Sequence, residues 1–305
     1  DPIKGKVYRM AVEDNGPGIA DTQIGKIFGK LLYGSKFHKL SQSRGQQGIG
    51  ISAAGMYGKL TTGKPVVIRS KRKRHDAVEY ILTIDTARNK PEIHSSESIK
   101  WPKKTHGTRV EIEMEATYKK GMRSVDMYLK QTAIANPHLT LHYRSPVGEE
   151  VTYERNTRVK PEETVEIKPH PHGVELGRLI AMLGNTNCRS LSGFLQEEFC
   201  RVGSTVAKRI IKSAGSNLTE KSYPSRIARE EASALYEAIA ETKISSPPSD
   251  CIAPIGEDLL LKGLKKELEA DFYATVTRPP AVYRGNPFQI EVGIAYGKPG
   301  GVGLE

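Results

Sequence analysis

The sequence predicts a mixed α/β domain, then an all-helical domain, then the start of a second α/β domain. Apolar runs of strand length alternate with helical patterns up to about residue 150, helical patterns follow, and strand-like alternation returns near residue 290. The length of 305 residues also exceeds what one hydrophobic core supports. The expected domains are residues 1–155, 170–243 and 250–305.

The first domain opens with an apolar run, Val7 to Glu13, which predicts a strand that delivers Asp14 to a loop. Apolar residues at helical spacing then predict a helix that Asp21 caps and that ends near Gly34. Small apolar residues from Ile51 to Tyr57 predict a second, buried helix. Further strands are expected at 66–68, 80–84, 108–114 and 139–143, with a helix at 125–133.

A charged, proline-containing stretch from Glu149 to Pro171 predicts a linker. His170 and His172 are interpreted as linker residues, because proline separates them and no third metal ligand is near. The later elements are predicted as helices at 174–183, 190–199, 204–212, 225–241 and 257–270, and as one half-buried strand at 288–296.

The composition limits the class of protein. Lys and Arg number 46 against 35 Asp and Glu, so the net charge is +11 and favours polyanionic partners such as nucleic acid. No apolar run is long enough to span a bilayer, and the first residues do not resemble a secretory signal. Three widely spaced cysteines fit neither a disulfide framework nor a zinc site, which favours the cytoplasm. Because the chain lacks a starting Met, we expect a truncated N-terminus.

A first candidate constellation is Asp14-Asn15-Gly16-Pro17-Gly18-Ile19, which places an acidic residue at a strand end before two glycines. A carboxylate accepts a hydrogen bond from an exocyclic amine such as that of adenine. Gly16 and Gly18 let the backbone pass close to a flat ligand. The same letters also form an ordinary turn, and that interpretation stays open.

A second constellation is a glycine-rich loop that opens onto a helix, Gly45-Gln46-Gln47-Gly48-Ile49-Gly50-Ile51-Ser52, with Ser35 and Lys36 earlier in the same loop. Free backbone N–H groups at a helix start bind phosphate, and the helix dipole favours the anion. The loop is not a Walker loop, since no Gly-Lys-Ser/Thr closes it, nor a dinucleotide fingerprint.

A third constellation, His106-Gly107-Thr108-Arg109-Val110-Glu111-Ile112, brings a threonine hydroxyl to the start of a strand. Taken alone, that threonine is also explained as an ordinary strand-forming residue.

Together, in this order and spacing, the three constellations resemble the glycine boxes of the gyrase, heat-shock chaperone, histidine kinase and MutL ATPase superfamily. Within it, the lid around Leu32 to His38, the stretch Arg44 to Ala54 and the segment Thr61 to Pro65 resemble the topoisomerase VI B subunit of the archaeal type. The resemblance covers nearly the whole chain. It implies a Bergerat-type ATPase sandwich, a helix-two-turns-helix domain and the beginning of a transducer domain.

The resemblance also implies the roles of individual residues. Asp14 would bind the adenine amino group, with Gly18 in the same loop, and Thr108 would support Asp14 through water. The residues that would hold the phosphates of ATP are Ser35, Lys36, Gly45, Gln46, Gln47, Gly48, Ile49, Gly50, Ile51 and Ser52. The general-base Glu and the Asn that binds Mg²⁺ precede the first strand in the family, and the switch lysine lies later than Lys298. No catalytic or metal-binding residue is therefore assigned, and this polypeptide is expected to bind ATP poorly.

The expected function is the ATP-hydrolysing component of a type IIB DNA topoisomerase. It would dimerise with a second copy on ATP binding and drive double-strand passage with the topoisomerase VI A subunit, in a heterotetramer located in the cytoplasm at the nucleoid. The basic turn 71–74 and the helix face with Lys208, Arg209 and Lys212 are candidate contacts to double-stranded DNA, although either is also explained as solvated surface. The alternatives are a MutL-like or chaperone-like ATPase clamp, or a non-hydrolysing interaction scaffold.

Overall fold

The computed structural model describes residues 1–33, 40–42, 48–102, 104–215 and 217–297. They form two compact units. The first contains most of residues 1–154, and the second contains residues 155–297 of the described chain together with 40–42 and Ile134–His138. The predicted mixed α/β class is confirmed.

The first unit is built on a six-stranded antiparallel sheet with the order β1-β2-β6-β3-β4-β5. Its strands are β1 (Pro2–Lys4), β2 (Val7–Glu13), β3 (Val66–Lys71), β4 (Ala77–Asp85), β5 (Lys90–Ile99) and β6 (Gly107–Glu115). The β2–β6 register pairs Glu13 with Arg109. The residue that follows β2 therefore lies beside the first residues of β6.

Two helices cover this sheet, α1 (Asp21–Gly29) against β4 and β5, and α2 (Gly50–Thr62) mainly against β6. The core between them comprises Ile24, Phe28, Val66, Ile68, Tyr80, Leu82 and Ile112. The prediction that α2 is buried was wrong, because only Ser52, Gly55 and Gly58 are buried along it. A Cβ at Gly58 would lie 2.8 Å from the carbonyl oxygen of Glu113, so the glycine allows close packing of helix on strand.

The remaining elements of the first unit are a helix and a two-stranded hairpin. They are α3 (Val125–Ala135), β7 (Leu141–Arg144) and β8 (Glu150–Tyr153). The last residues of α3, Ile134 and Ala135, belong to the second unit.

The second unit begins with helices α4 (Leu176–Asn185), α5 (Leu191–Glu198), α6 (Ser204–Ser213) and α7 (Arg229–Glu241), with 3-10 turns at Pro171–Gly173 and Pro224–Arg226. These helices share one apolar core that includes Leu179, Phe194 and Leu235. The Ser190 hydroxyl accepts a hydrogen bond from the Gly193 N–H, which caps α5 as serine commonly does. On α6, Ala207, Ile210 and Ile211 are buried, while Lys208, Arg209 and Lys212 are exposed.

The last part of the second unit is helix α8 (Glu257–Glu267) with strands β9 (Phe272–Thr277), β10 (Ala281–Tyr283), β11 (Asn286–Phe288) and β12 (Glu291–Tyr296). β9 pairs with β12 and β10 pairs with β11, both antiparallel. Leu260 and Leu264 of α8 form a small core with Ile134. The single half-buried strand predicted at 288–296 was wrong, because the segment breaks after Phe288 and β12 is largely exposed.

Other predicted boundaries also differ. Helix α1 ends at Gly29, well before Gly34, since the Asn89 side chain accepts from the Leu31 N–H at 2.7 Å. Asp21 does not cap α1. Its carboxylate accepts from the Tyr80 hydroxyl instead, at 2.7 Å.

The interpretation of His170 and His172 as linker residues was wrong. His170 is only 4% exposed; its Nδ1 accepts from the His172 N–H, so its Nε2 donates to the Ser245 carbonyl at 3.1 Å. His172 Nε2 lies 3.0 Å from the carbonyls of both Ile239 and Thr242 at the end of α7. Both rings are therefore structural parts of the second unit.

Candidate functional site

The centre of the candidate site is Asp14, in the loop that follows β2. Its Oδ1 accepts from the backbone N–H of Gly16 at 2.8 Å and from that of Thr108 at 3.1 Å. The Asp14 N–H in turn donates to the Thr108 carbonyl at 2.8 Å. Within the part of the chain that the structure describes, Oδ2 makes no hydrogen bond, so one carboxylate oxygen remains for a ligand.

Two glycines allow the backbones around Asp14 to come together. Gly18 has φ +75°, and a Cβ there would lie 2.1 Å from the carbonyl oxygen of Lys71 in β3. Gly107 has φ +143°, and its Cβ would lie 2.2 Å from the carbonyl oxygen of Asp14. Because neither contact tolerates a side chain, these glycines are required by packing between segments of the protein.

A buried serine connects the Asp14 loop to β3 and β6. The Ser70 side chain, 1% exposed, accepts from the Ile19 N–H at 2.8 Å, and its oxygen lies 3.4 Å from the Thr108 hydroxyl. Thr108 is itself buried. The two hydroxyl groups therefore lie side by side behind the loop.

These residues open onto a cavity of about 500 Å³. One end carries Asp14, the glycine loop and Thr108, and the remaining wall is apolar, comprising Met10, Val12, Ile19, Phe28, Ile51, Val110 and Ile112. Val12 is 62% exposed although it is apolar. An apolar cavity with a few convergent polar groups is the usual form of a small-molecule site.

The start of α2 borders the same cavity through Ile51. Ile49 is the N-cap and makes no side-chain cap, so the N–H groups of the first turn have no partner within the helix. Ser52 is fully buried, and its hydroxyl donates to the Lys30 carbonyl at 3.1 Å. Gly48 is left-handed, with φ +64°.

Five predicted phosphate-binding residues lie outside the described residues: Ser35, Lys36, Gly45, Gln46 and Gln47. The described residues bring together Asp14, Gly18, Ile51 and Thr108 around one cavity.

A network of charges lies beside the Asp14 loop, on residues that do not line the cavity. Glu13 pairs with Lys104 at 2.8 Å and with Arg109 at 3.1 Å, and Arg109 also pairs with Glu111 at 2.6 Å. Burial acts to raise the pKa of Glu13, but the hydrogen bonds from Lys104 and Arg109 outweigh it, and the pKa is lowered. The Glu13 carboxylate is therefore held in its charged form.

Three polar side chains near the site were missed by the sequence reasoning: Ser70, Lys104 and His106. The His106 ring donates from Nδ1 to the Gly16 carbonyl at 2.8 Å, and Lys104 donates to the Asp14 carbonyl at 3.1 Å. His106 belongs to the third constellation, so its position in the sequence could have indicated that it lies near the site. Nothing in the sequence distinguishes Ser70 from other strand serines.

No cluster of three or more His, Cys, Asp or Glu side chains suited to a metal ion occurs among the described residues. In the same part of the chain, no helix combines the length and apolar character needed to cross a membrane.

Comparison with known proteins identifies relatives over nearly the whole chain. A family model described as the topoisomerase VI B subunit transducer matches residues 247–303. The type 2 DNA topoisomerase 6 B subunit of Methanococcoides burtonii is 51% identical over 290 residues, which cover 94% of this chain and 46% of that protein. The protein of the same name from Archaeoglobus fulgidus is 45% identical over 292 residues, covering 95% and 48%. The chain thus spans about half the length of the curated relatives it matches.

A solved structure, the topoisomerase IV ATP-binding domain of Francisella tularensis in complex with a small-molecule inhibitor, aligns with a TM-score of 0.34 and 14% identity. The alignment covers 76% of this chain and 82% of that one.

Proposed function

The chain belongs to the family of topoisomerase VI B subunits, and from this premise we propose that its first unit binds ATP as part of a type IIB DNA topoisomerase. In this proposal ATP binding brings two B subunits together, and hydrolysis drives double-strand passage by the A subunit. Residues 1–155 would form the ATPase domain, 170–243 the helix-two-turns-helix domain and 250–305 the beginning of the transducer. The chemistry of DNA cleavage is assigned to the A subunit.

The observation that carries the proposal is the state of the Asp14 carboxylate. Oδ1 accepts hydrogen bonds from two backbone N–H groups. Oδ2 has no hydrogen-bond partner among the described residues, and the carboxylate lies at the polar end of an apolar cavity. Adenine fits this arrangement, because its flat ring buries apolar surface and its amino group donates one hydrogen bond. Thr108, next to Asp14, would complete the polar end through a water molecule.

The phosphates of ATP would lie toward the start of α2. Gly50, Ile51 and Ser52 form the first turn of this 13-residue helix. Backbone N–H groups at a helix start lack partners within the helix, and the helix dipole favours an anion there. Gly48, Ile49 and the predicted lid residues Ser35, Lys36, Gly45, Gln46 and Gln47 would complete the phosphate site. ATPases of this superfamily use Mg²⁺, but no described residue is assigned to it.

The decisive experiment is Asp14→Asn in the gene product expressed with its A subunit. Because Oδ1 must still accept two N–H groups, the Asn side chain would keep its oxygen there and present its NH₂ group to the cavity. A donor would then face the donor amine of adenine. We expect ATP to bind on the order of ten- to a hundredfold more weakly. Inosine triphosphate, which carries an acceptor oxygen at that position, should lose less affinity or gain some.

Asp85→Asn is the matched control, since its carboxylate also accepts two backbone N–H groups, those of Ala87 and Arg88, in a turn away from the cavity. Affinities are measured by calorimetric titration, and ATP-dependent relaxation of supercoiled plasmid is measured in parallel. Equal ATP affinity in Asp14→Asn and the unchanged protein would refute the adenine site. An ATPase assay that detects no hydrolysis, with or without the A subunit and DNA, would favour the non-hydrolysing scaffold.

A further inference from the structure

The loop that carries Asp14 is anchored from outside the cavity by two side chains of the segment just before β6. The Lys104 ammonium group donates to the Asp14 carbonyl at 3.1 Å, and the His106 ring donates to the Gly16 carbonyl at 2.8 Å. A carbonyl can only accept, so Nδ1 of His106 carries the proton. Neither side chain lines the cavity.

Both anchoring side chains are partly buried. Lys104 is 22% exposed, and its ammonium group also pairs with the Glu13 carboxylate at 2.8 Å. It therefore contacts the last residue of β2 and the first residue of the loop at once. The His106 ring is half-buried and contacts the loop two residues further on.

The anchored loop contains two glycines, Gly16 and Gly18. Glycine backbones adopt many conformations, and a short glycine-rich loop shifts easily unless other groups hold it. The Oδ1 atom is fixed by Gly16 and Thr108, so any movement of Gly16 also moves the free Oδ2. A hydrogen bond to a ligand requires a donor–acceptor distance within a few tenths of an ångström.

We propose that His106 and Lys104 are positioning residues for purine recognition, which act through the carbonyls of Gly16 and Asp14 to place the free oxygen of Asp14. This inference rests on the proposed ATP site. Neither residue touches the ligand, and their contribution lies in the order of the loop before binding.

The test uses His106 variants of the gene product with its A subunit, and measures ATP affinity by calorimetry. His106→Ala should weaken ATP binding on the order of fivefold, as expected for loss of one ordinary hydrogen bond. His106→Asn should restore most of the affinity, because the Asn amide nitrogen occupies nearly the place of Nδ1. Lys104→Met, which keeps the aliphatic part of the side chain and removes the donor, should weaken binding similarly.

Two comparisons separate positioning from general damage to the fold. His142→Ala removes another Nδ1 hydrogen bond, to the Thr152 hydroxyl at 3.0 Å in the β7–β8 hairpin, and should leave ATP affinity unchanged. In the Asp14→Asn background, His106→Ala should have little further effect, because the two changes act through one contact.

An equal loss in both backgrounds would overturn the proposal, as would full ATP affinity in His106→Ala. Absence of ATP binding by the unchanged protein would overturn the ATP site as well. If Asp14→Asn weakens ATP binding but His106→Ala does not, only the positioning role of His106 is overturned.

Discussion

Gly18 and Gly63 give a matched test of how the candidate site is built. Both adopt left-handed backbone conformations, with φ +75° and φ +70°. They differ in their surroundings, since a Cβ at Gly18 would lie 2.1 Å from the Lys71 carbonyl oxygen, whereas no described atom lies within 4 Å of one at Gly63. Alanine at either position therefore meets the same backbone strain, but only at position 18 does it meet another chain segment.

The expected magnitudes follow from this difference. The left-handed conformation costs alanine about 1–2 kcal/mol at either position, and a less flexible unfolded chain offsets about 0.4–1 kcal/mol of that. At Gly18 the loop must also move away from β3, which breaks the hydrogen bond from the Ile19 N–H to Ser70, worth about 0.5–1.5 kcal/mol. We expect Gly18→Ala to lower the free energy of unfolding by about 0.5–1.5 kcal/mol more than Gly63→Ala.

Urea unfolding of both variants is monitored by circular dichroism. ATP affinity is measured separately, in the absence of urea. Gly18→Ala should also weaken ATP binding, because the displaced loop carries Asp14, while Gly63→Ala should not. Equal losses of stability in the two variants would refute the close approach of Gly18 to β3. Unchanged ATP affinity in a destabilised Gly18→Ala variant would show that the position of this loop does not determine ATP binding.

Two predictions concern the second unit. Burial lowers the pKa of His170 below its usual value of about 6.5, so the neutral ring stabilises the fold above that pH. This stability should be lost as the pH falls from about 6.5 toward the lowered pKa, by up to about 1.4 kcal/mol per pH unit, and urea unfolding of His170→Gln should lack that slope. Phe194→Ala should cost about 3–5 kcal/mol because Phe194 is fully buried, against less than about 1 kcal/mol for Phe272→Ala, which removes a side chain 56% exposed. Similar costs in thermal unfolding would contradict the assigned core.

The spacing of apolar residues predicted several helices and strands, because it follows which side of the element is buried. The run from Val7 to Glu13 is a strand with those bounds, and the apolar spacing on α6 predicts its buried face. The polar strand β5 was missed, since most of its side chains are exposed and its sequence does not alternate between apolar and polar residues. The extent of α1 was wrong because the side chain of Asn89, distant in sequence, takes the Leu31 N–H.

The site itself depends on contacts between distant segments. Asp14 and Thr108 are joined by a hydrogen bond between residues 94 positions apart, which no local pattern encodes. The order of the three constellations suggested that they meet, and the cavity includes residues from each of them. The contacts of Ser70, Lys104 and His106 required coordinates, because a serine, a lysine and a histidine are compatible with many surroundings.

The structure changes the physical meaning of the glycines in the first and third constellations. The sequence suggested that Gly18 lets the backbone approach a flat ligand, whereas the missing Cβ of Gly18 faces the Lys71 carbonyl and that of Gly107 faces the Asp14 carbonyl. Both glycines therefore bring protein segments together, and the proposed contact to the ligand is the Asp14 carboxylate oxygen that has no partner among the described residues. Because the same close contacts hold the fold and place this oxygen, substitution of either glycine should reduce stability and nucleotide affinity together. Substitution of Asp14 should reduce affinity more than stability.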